Sequence, residues 1–220
     1  IELMVKTIDG QLVTPPALSY LDEKTTIDMI TVPHSPRVCP TATGFRVYWS
    51  RGAAVAVGTN SDLRRTDYDA RRHKFGTVAN HNTNLYSNVG AGSAFNHCVR
   101  HFDAIGLDRT SFTGGHAVAW IDHTTRIVTF EIWDGNGTQQ ALTTIGVDET
   151  DNFYLVALCE SPSTNHIWVM VAKDAGAEGT ADTIVLYQVD MSGATILGPL
   201  TIDTLVATPK NRATNISIAG

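Results

Sequence analysis

The sequence of 220 residues predicts an all-β fold, and three observations lead to that prediction. Charged residues make up only 17% of the chain, while Thr, Asn and Gly are abundant. Such a composition favours strands and turns over surface helices. Short apolar runs alternate with turn sequences such as "DGNG" and "DMSG", a pattern that predicts hairpins. One apolar run also returns at a fixed spacing, which indicates a structural repeat.

The repeat is clearest in the runs that begin at His116, His166 and Ile216, which lie fifty residues apart. A fourth run begins at Phe45, seventy-one residues before His116. A Gly or an Asn precedes each of the four runs. The residues that should face the same way at later positions of these runs are Val47, Val118, Trp168 and Ile218, followed by Trp49, Trp120 and Met170.

Each repeat unit contains about four short predicted strands. In the third unit these are residues 152–160, 166–173, 183–189 and 194–201. Several are apolar on both faces, as expected for a sheet that packs between two others. Four-stranded units that repeat every forty to fifty residues are typical of a β-propeller, with a β-sandwich as the alternative.

The repeat domain is predicted to span residues 41–220, after an extended arm or linker over residues 1–40 that contains "TPP" and "VPHSP". The final "TNISIAG" matches the first half of another unit. We expect it either to complete a unit that the N-terminal residues begin or to continue in a longer chain.

Residues 60–110 interrupt the repeat and are rich in Asn, His and Arg, so we expect a polar insertion there. Long loops on a rigid scaffold often carry binding sites, and arginine forks match carboxylates and phosphates. The alternative is a solvated loop in which Asp62, Asp67 and Asp69 pair with these cations. The predicted ligand-binding residues are Arg64, Arg65, Arg71, Arg72 and, next to the "DGNG" turn, Trp133.

The repeat pattern over residues 40–220 resembles the sialidase-like and kelch-like groups of β-propellers. Asp134-Gly135-Asn136-Gly137 and Asp190-Met191-Ser192-Gly193 stand where sialidase-type blades carry an Asp-box, with a different glycine spacing. Gly114-Gly115 supplies one copy of the glycine pair of kelch blades. The resemblance implies a propeller, and a glycosidase as an alternative activity.

A glycosidase needs two carboxylates, or a tyrosine with an assisting acid, around the scissile bond. The residues that could supply them are Glu131, Glu160, Asp151, Asp122 and Tyr154. No nucleophile elbow or phosphate-binding loop follows a predicted strand. We therefore predict no catalytic residues, although the question of enzymatic activity stays open.

Two further groups of side chains contain residue types that can bind a metal. His97, Cys98 and His101 lie close in sequence, but the helical periodicity that would unite them is poor. The three cysteines show no paired spacing, which favours free thiols. We expect no metal and no cofactor.

The function expected from these features is non-catalytic recognition or structural display at an extracellular or virion surface. The composition resembles that of phage tail and receptor-binding proteins. The alternatives are a sialidase-like glycoside hydrolase and a purely architectural oligomer subunit. The expected partners are other subunits of an assembly, with the chain itself a homo-oligomer, or a surface glycan. A net charge of −6 argues against nucleic acid, and no run is long and apolar enough to predict membrane insertion.

Overall fold

A computed structural model describes residues 2–3, 19–20, 33–52, 61–86, 101–108, 111–146, 152–161, 165–174, 181–205 and 216–218. Within these ranges every regular element is a β-strand, and none is a helix. The fold is therefore all-β, as the composition and the alternating runs predicted. Two short strands, β1 (Glu2–Leu3) and β2 (Ser19–Tyr20), pair with each other, and the remaining strands form three larger antiparallel sheets.

Sheet I contains β3 (Pro33–Thr41), β4 (Gly44–Gly52), β5 (Ser61–Asp69), β6 (Lys74–Phe75) and β7 (Ala79–Leu85). Sheet II contains β8 (Phe102–Gly106), β9 (His116–Ile121), β10 (Val128–Trp133) and β11 (Gln139–Ile145). Sheet III contains β12 (Asn152–Glu160), β13 (His166–Asp174), β14 (Thr183–Asp190) and β15 (Thr195–Thr204).

All three sheets share one topology, an antiparallel meander in which strands pair in chain order. In sheet I both β6 and β7 pair with β5, at successive positions along the edge that β4 leaves open. The two short strands therefore take the place of a single fourth strand. The predicted four-stranded repeat is confirmed in sheets II and III, and sheet I is a five-stranded variant of it.

The register of the repeat is also preserved. Phe45, His116 and His166 all lie near the start of the second strand of their own sheet. The turns between the third and fourth strands of sheets II and III are built alike. In each, the first Asp accepts hydrogen bonds from two backbone amides, and a glycine adopts a positive φ, 82° at Gly137 and 87° at Gly193.

The first strands of the three sheets lie side by side, because β8 contacts both β3 and β12. Strand pairing makes Arg37, Asp103 and Leu158 equivalent positions of these first strands. The Asp103 carboxylate joins them, since it accepts a hydrogen bond from Arg37 Nε at 2.6 Å and one from Leu158 N at 3.0 Å. Equivalent residues that meet in this way are what successive blades of a partial propeller would present, and the arrangement is also compatible with a β-sandwich.

Two apolar clusters fill the spaces between the sheets. The larger joins sheets II and III and includes Phe130, Phe153 and Val169. The smaller joins sheets I and II around Leu63 and Phe102. These side chains are almost fully buried, and β9 of sheet II is buried at all six positions, as inferred for a sheet that packs between two others.

Two predicted boundaries need correction where the chain is described. The expected arm over residues 1–40 includes most of β3, the first strand of sheet I. The expected insertion at 60–110 includes β5, β6, β7 and the first residues of sheet II. Its polar composition misled the prediction because β7 (Ala79–Leu85), with the sequence "ANHNTNL", is an edge strand whose side chains are mostly accessible.

Near the chain end, Ile216 is buried and belongs to the cluster between sheets II and III, with Ile218 packed against it. The run of the repeat that begins at Ile216 thus places its first apolar residue in the core. Among the described residues, no helix of a length and apolarity suited to crossing a membrane is present.

Candidate functional site

The turns that follow the first and third strands of each sheet lie at one end of the molecule, here called the turn face. Ala42 N donates to Gly135 O, which joins the β3–β4 turn of sheet I to the β10–β11 turn of sheet II. Ala70 N donates to Thr43 O, which brings in the β5–β6 turn. On the other side, Ser111 N donates to Asn165 Oδ1, joining the β8–β9 loop to the start of β13.

Two neighbouring cavities open at the turn face, the first where sheets I and II meet and the second within sheet I. The first, of about 330 Å³, is lined by Thr41, Ala42, Thr43, Arg46, Asp67, Gly135, Asn136 and Gly137. The second, of about 380 Å³, is lined by Thr43, Asp67, Asp69, Arg72, Lys74, Phe75 and Gly76. They share Thr43 and Asp67, so together they form one continuous cleft, here called the turn-face cleft.

An ion pair between Arg46 and Asp67 lies at the junction of the two cavities. Arg46 Nε donates to Asp67 Oδ1 at 2.6 Å, and Nη2 donates to Oδ2 at 3.0 Å. The arginine side chain is only 7% exposed, whereas the aspartate side chain is 54% exposed. This bidentate geometry fixes both planar groups and leaves the carboxylate accessible from the cleft.

The pair keeps both groups charged. Burial alone would raise the pKa of Asp67, but the hydrogen bond and charge of Arg46 outweigh it, and the pKa lies below its usual value. Burial opposes the charge of Arg46 too, yet the hydrogen bond that it donates to Asp67 and the contact with Tyr48 raise its pKa. The cleft therefore contains a permanent, preoriented dipole.

Trp133 packs beside this pair and does not itself line either cavity. The guanidinium carbons of Arg46 and Arg65 lie 5.0 and 5.1 Å from the centre of its ring, so two cations contact one indole. His116 lies parallel to the same ring at a centroid distance of 6.1 Å. Trp133 thus holds Arg46 in place from within the protein.

A buried polar network continues from Trp133 between sheets I and II. Trp133 Nε1 donates to Glu131 Oε2 at 2.8 Å, and His81 Nε2 lies 3.0 Å from the same oxygen. Tyr48 Oη and His116 Nε2 form a hydrogen bond of 2.9 Å. Burial and the nearby Arg46 lower the pKa of His116 to about 3, so this imidazole is neutral at ordinary pH.

The structure separates the ligand-binding residues predicted from the sequence. Arg72 lines the cleft, and Arg65 and Trp133 support its Arg46 wall. Arg71 is exposed in the β5–β6 turn without lining either cavity. Arg64 lies next to Arg65 on β5 and so on the opposite face of the strand, where its Nη2 is 3.7 Å from Asp62.

The side chains proposed for a glycosidase do not gather around a cleft. Glu131 is 7% exposed and bonded within the network, and Glu160 accepts from Asp108 N with both oxygens. Tyr154 donates to Asp182 in the interior, and Asp122 caps the β9–β10 turn. These four serve separate structural roles, and Asp151 lies outside the described residues.

Sequence reasoning missed Arg46 and treated Asp67 only as a counter-ion of the loop. Arg46 lies in "FRVYW", which was interpreted as a core strand because its neighbours are apolar. The sequence did contain one sign of this site, because Arg46 alternates with large apolar residues on a predicted central strand. Such a residue must find a partner when it is buried.

Only some of the residues considered as metal ligands lie in the part of the chain that the structure describes. Within the described ranges, no three His, Cys, Asp or Glu side chains are arranged to hold a metal ion. His97 and Cys98 lie outside those ranges, and His101 Nδ1 is 2.8 Å from Tyr154 O. Cys39 and Cys159 are free thiols, and burial raises the pKa of Cys39 to about 12, so that thiol is unreactive.

Comparisons with known proteins do not extend this description. No protein-family model, no curated protein and no solved structure matches the chain. What the site can do must therefore be argued from its own geometry.

Proposed function

We propose that this protein is a non-catalytic recognition module that binds glycan through the turn-face cleft. The observation that carries the proposal is the cleft itself, with a fixed Arg46–Asp67 pair beside the polar residues Thr43 and Asn136. Sugars are recognised by planar polar groups that hydrogen-bond to neighbouring hydroxyls. Preorientation lowers the entropy that binding must overcome.

The roles of the carboxylates support binding over hydrolysis. In the described part of the chain, Asp67 is held by an arginine and Asp69 by the amides of Arg71 and Arg72. A general acid must be able to exchange a proton at the operating pH, and Asp67 does this poorly because Arg46 holds its pKa below the usual value despite burial. The composition further supports placing the module at an extracellular or virion surface.

The arginines on β5 and in its turn provide a matched test. Arg65→Ser/Arg72→Ser removes the two arginines that contact the cleft or its wall. Arg64→Ser/Arg71→Ser removes the same charge from neighbouring positions outside it. We expect the first variant to lose at least tenfold in affinity for a surface polysaccharide, measured by isothermal titration calorimetry, and the second to bind like the unmodified protein.

Two outcomes would contradict the proposal. One is equal loss in both variants, which would mean that binding follows net charge rather than the cleft. The other is release of reducing sugar from the polysaccharide during the titration, which would favour the hydrolase alternative.

A further inference from the structure

The charges of the turn-face cleft indicate which class of glycan it would accept, an inference that rests on the proposed function. The charged residues that line the two cavities are three cations, Arg46, Arg72 and Lys74, and two carboxylates, Asp67 and Asp69. This local excess of positive charge lies in a chain whose net charge is −6. The cleft thus differs in sign from the molecule as a whole.

Both carboxylates already have partners within the protein. Asp67 is neutralised by the buried Arg46 in a bidentate pair. Asp69 Oδ1 accepts hydrogen bonds from the amides of Arg71 and Arg72, at 2.9 and 3.2 Å, as the cap of the β5–β6 turn. Asp67 is thus compensated by Arg46, whereas Asp69 keeps its charge and offsets one of the two outer cations, so the cleft retains one net positive charge.

Arg72 and Lys74 extend from this framework toward solvent. The Arg72 side chain is 82% exposed, and its Nε is 3.6 Å from Asp69 Oδ2, too long for a hydrogen bond. Lys74 is exposed as well, and its backbone pairs with that of Asp69 across the turn. Both heads can move to meet an incoming anion at little cost.

We infer that the turn-face cleft binds a uronate-containing saccharide. Arg72 and Lys74 would take the carboxylate in the larger cavity, and Asp67 would accept hydrogen bonds from sugar hydroxyls at the junction. Phe75 is also among the residues that line the larger cavity, but its ring packs against Tyr68 and Phe45 on the other face of sheet I. A carboxylate and hydroxyls on one six-membered ring match the neighbouring cationic and acceptor groups of the cleft.

The test uses matched acidic and neutral probes in isothermal titration calorimetry. The acidic probes are an oligogalacturonate and a hyaluronan oligosaccharide, and the neutral probes are their carboxyl-reduced forms. We expect the unmodified protein to bind at least one acidic probe tenfold or more tightly than its reduced form. Raising the salt concentration should narrow that difference, because exposed charges are screened.

Variants separate the two parts of the inference. Arg72→Ser/Lys74→Ser should abolish the preference for the acidic form while residual binding of the reduced form persists. Arg71 is a cation of the same turn that does not line the cleft, so the Arg71→Ser variant should retain the preference for the acidic form. Asp67→Asn should lower the affinity for both the acidic and the reduced probes.

Equal affinity for acidic and reduced probes would overturn the uronate assignment and leave glycan binding intact. Binding of neither form by the unmodified protein would overturn the uronate assignment and, if the surface polysaccharides also fail to bind, the proposed function with it. A preference that survives in Arg72→Ser/Lys74→Ser would likewise overturn the roles given to these two residues.

Discussion

At the scale of single residues, Arg46 and His116 occupy buried positions that most sequences would fill with apolar side chains. Each is tolerated because it has a polar partner from another strand, Asp67 for Arg46 and Tyr48 for His116. The partner of Arg46 lies 21 residues away and that of His116 lies 68 residues away. Separations of this size are set by the sheet arrangement, which explains why sequence reasoning did not connect these residues.

His116 should make the stability of the protein depend on pH. Its folded pKa of about 3 lies below the ordinary value of 6.5, so between these values the unfolded chain takes up a proton that the folded one excludes. Stability should therefore fall as the pH decreases from 6.5 toward 3, by at most about 1.4 kcal/mol per pH unit from this group.

His116→Gln removes the titrating group while keeping a side chain that can bond to Tyr48. Urea unfolding at several pH values should give a shallower loss of stability for the variant than for the unmodified protein. Other titrating groups, such as Asp67, contribute to the curve of unfolding free energy against pH in both proteins, so their contributions cancel in the comparison. Parallel curves would contradict the assignment of a buried, neutral imidazole.

At the scale of elements, the strands and turns were predicted best where the signal was local. The strand bounds of the third unit were predicted to within three residues because its strands are apolar and its "DMSG" turn contains both an Asp and a Gly. The corresponding turn of sheet I was missed. It has the capping Asp69, but His73, with φ of 50°, takes the left-handed conformation that glycine adopts in the other two turns.

The two turn glycines should differ in how well they tolerate a side chain. A Cβ at Gly193 would lie 3.3 Å from both the Ala141 Cβ and the Thr143 Cγ2 of sheet II, whereas one at Gly137 would lie 3.7 Å from Arg46 Nη2. Both have positive φ, which costs an L-residue about 1–2 kcal/mol. We expect Gly193→Ala to be the more destabilising of the two in urea unfolding.

Gly114→Ala is the control, because Gly114 has a φ of 79° and nothing within 4 Å of the added carbon. Its loss of unfolding free energy should reflect the backbone strain alone and should equal the loss caused by Gly137→Ala. An equal effect at all three positions would mean that the turn of sheet III does not pack on sheet II as described.

At the scale of the whole molecule, the sheets are held together by side chains that cross between them. Asp103 is 5% exposed and joins the first strands of all three sheets through Arg37 and Leu158. The repeat could be recognised from sequence because each sheet follows the same local pattern. The tie at Asp103 joins equivalent positions that hold three different residue types, Arg37, Asp103 and Leu158, so no periodic signal marks it.

Asp103→Ala should destabilise the protein by about 2–4 kcal/mol, because it removes an ion pair and leaves the buried Leu158 amide without its acceptor. Asp190→Ala is a matched control, since that carboxylate also accepts several hydrogen bonds but only within one turn. In urea unfolding, Asp190→Ala should lower the free energy of unfolding by about 1 kcal/mol. Equal losses would argue that Asp103 does not couple the sheets.

The central claim, that the turn face is a glycan-binding surface, is tested most directly by residue-resolved NMR. An oligogalacturonate would be titrated into ¹⁵N-labelled protein while the backbone amide shifts are followed. The account predicts saturable changes at Thr43, Gly76, Gly135 and Gly137, with none at Asn84 and Thr124, whose side chains bond to each other at the opposite end. Changes centred on that opposite end, or spread evenly over the exposed amides, would contradict it.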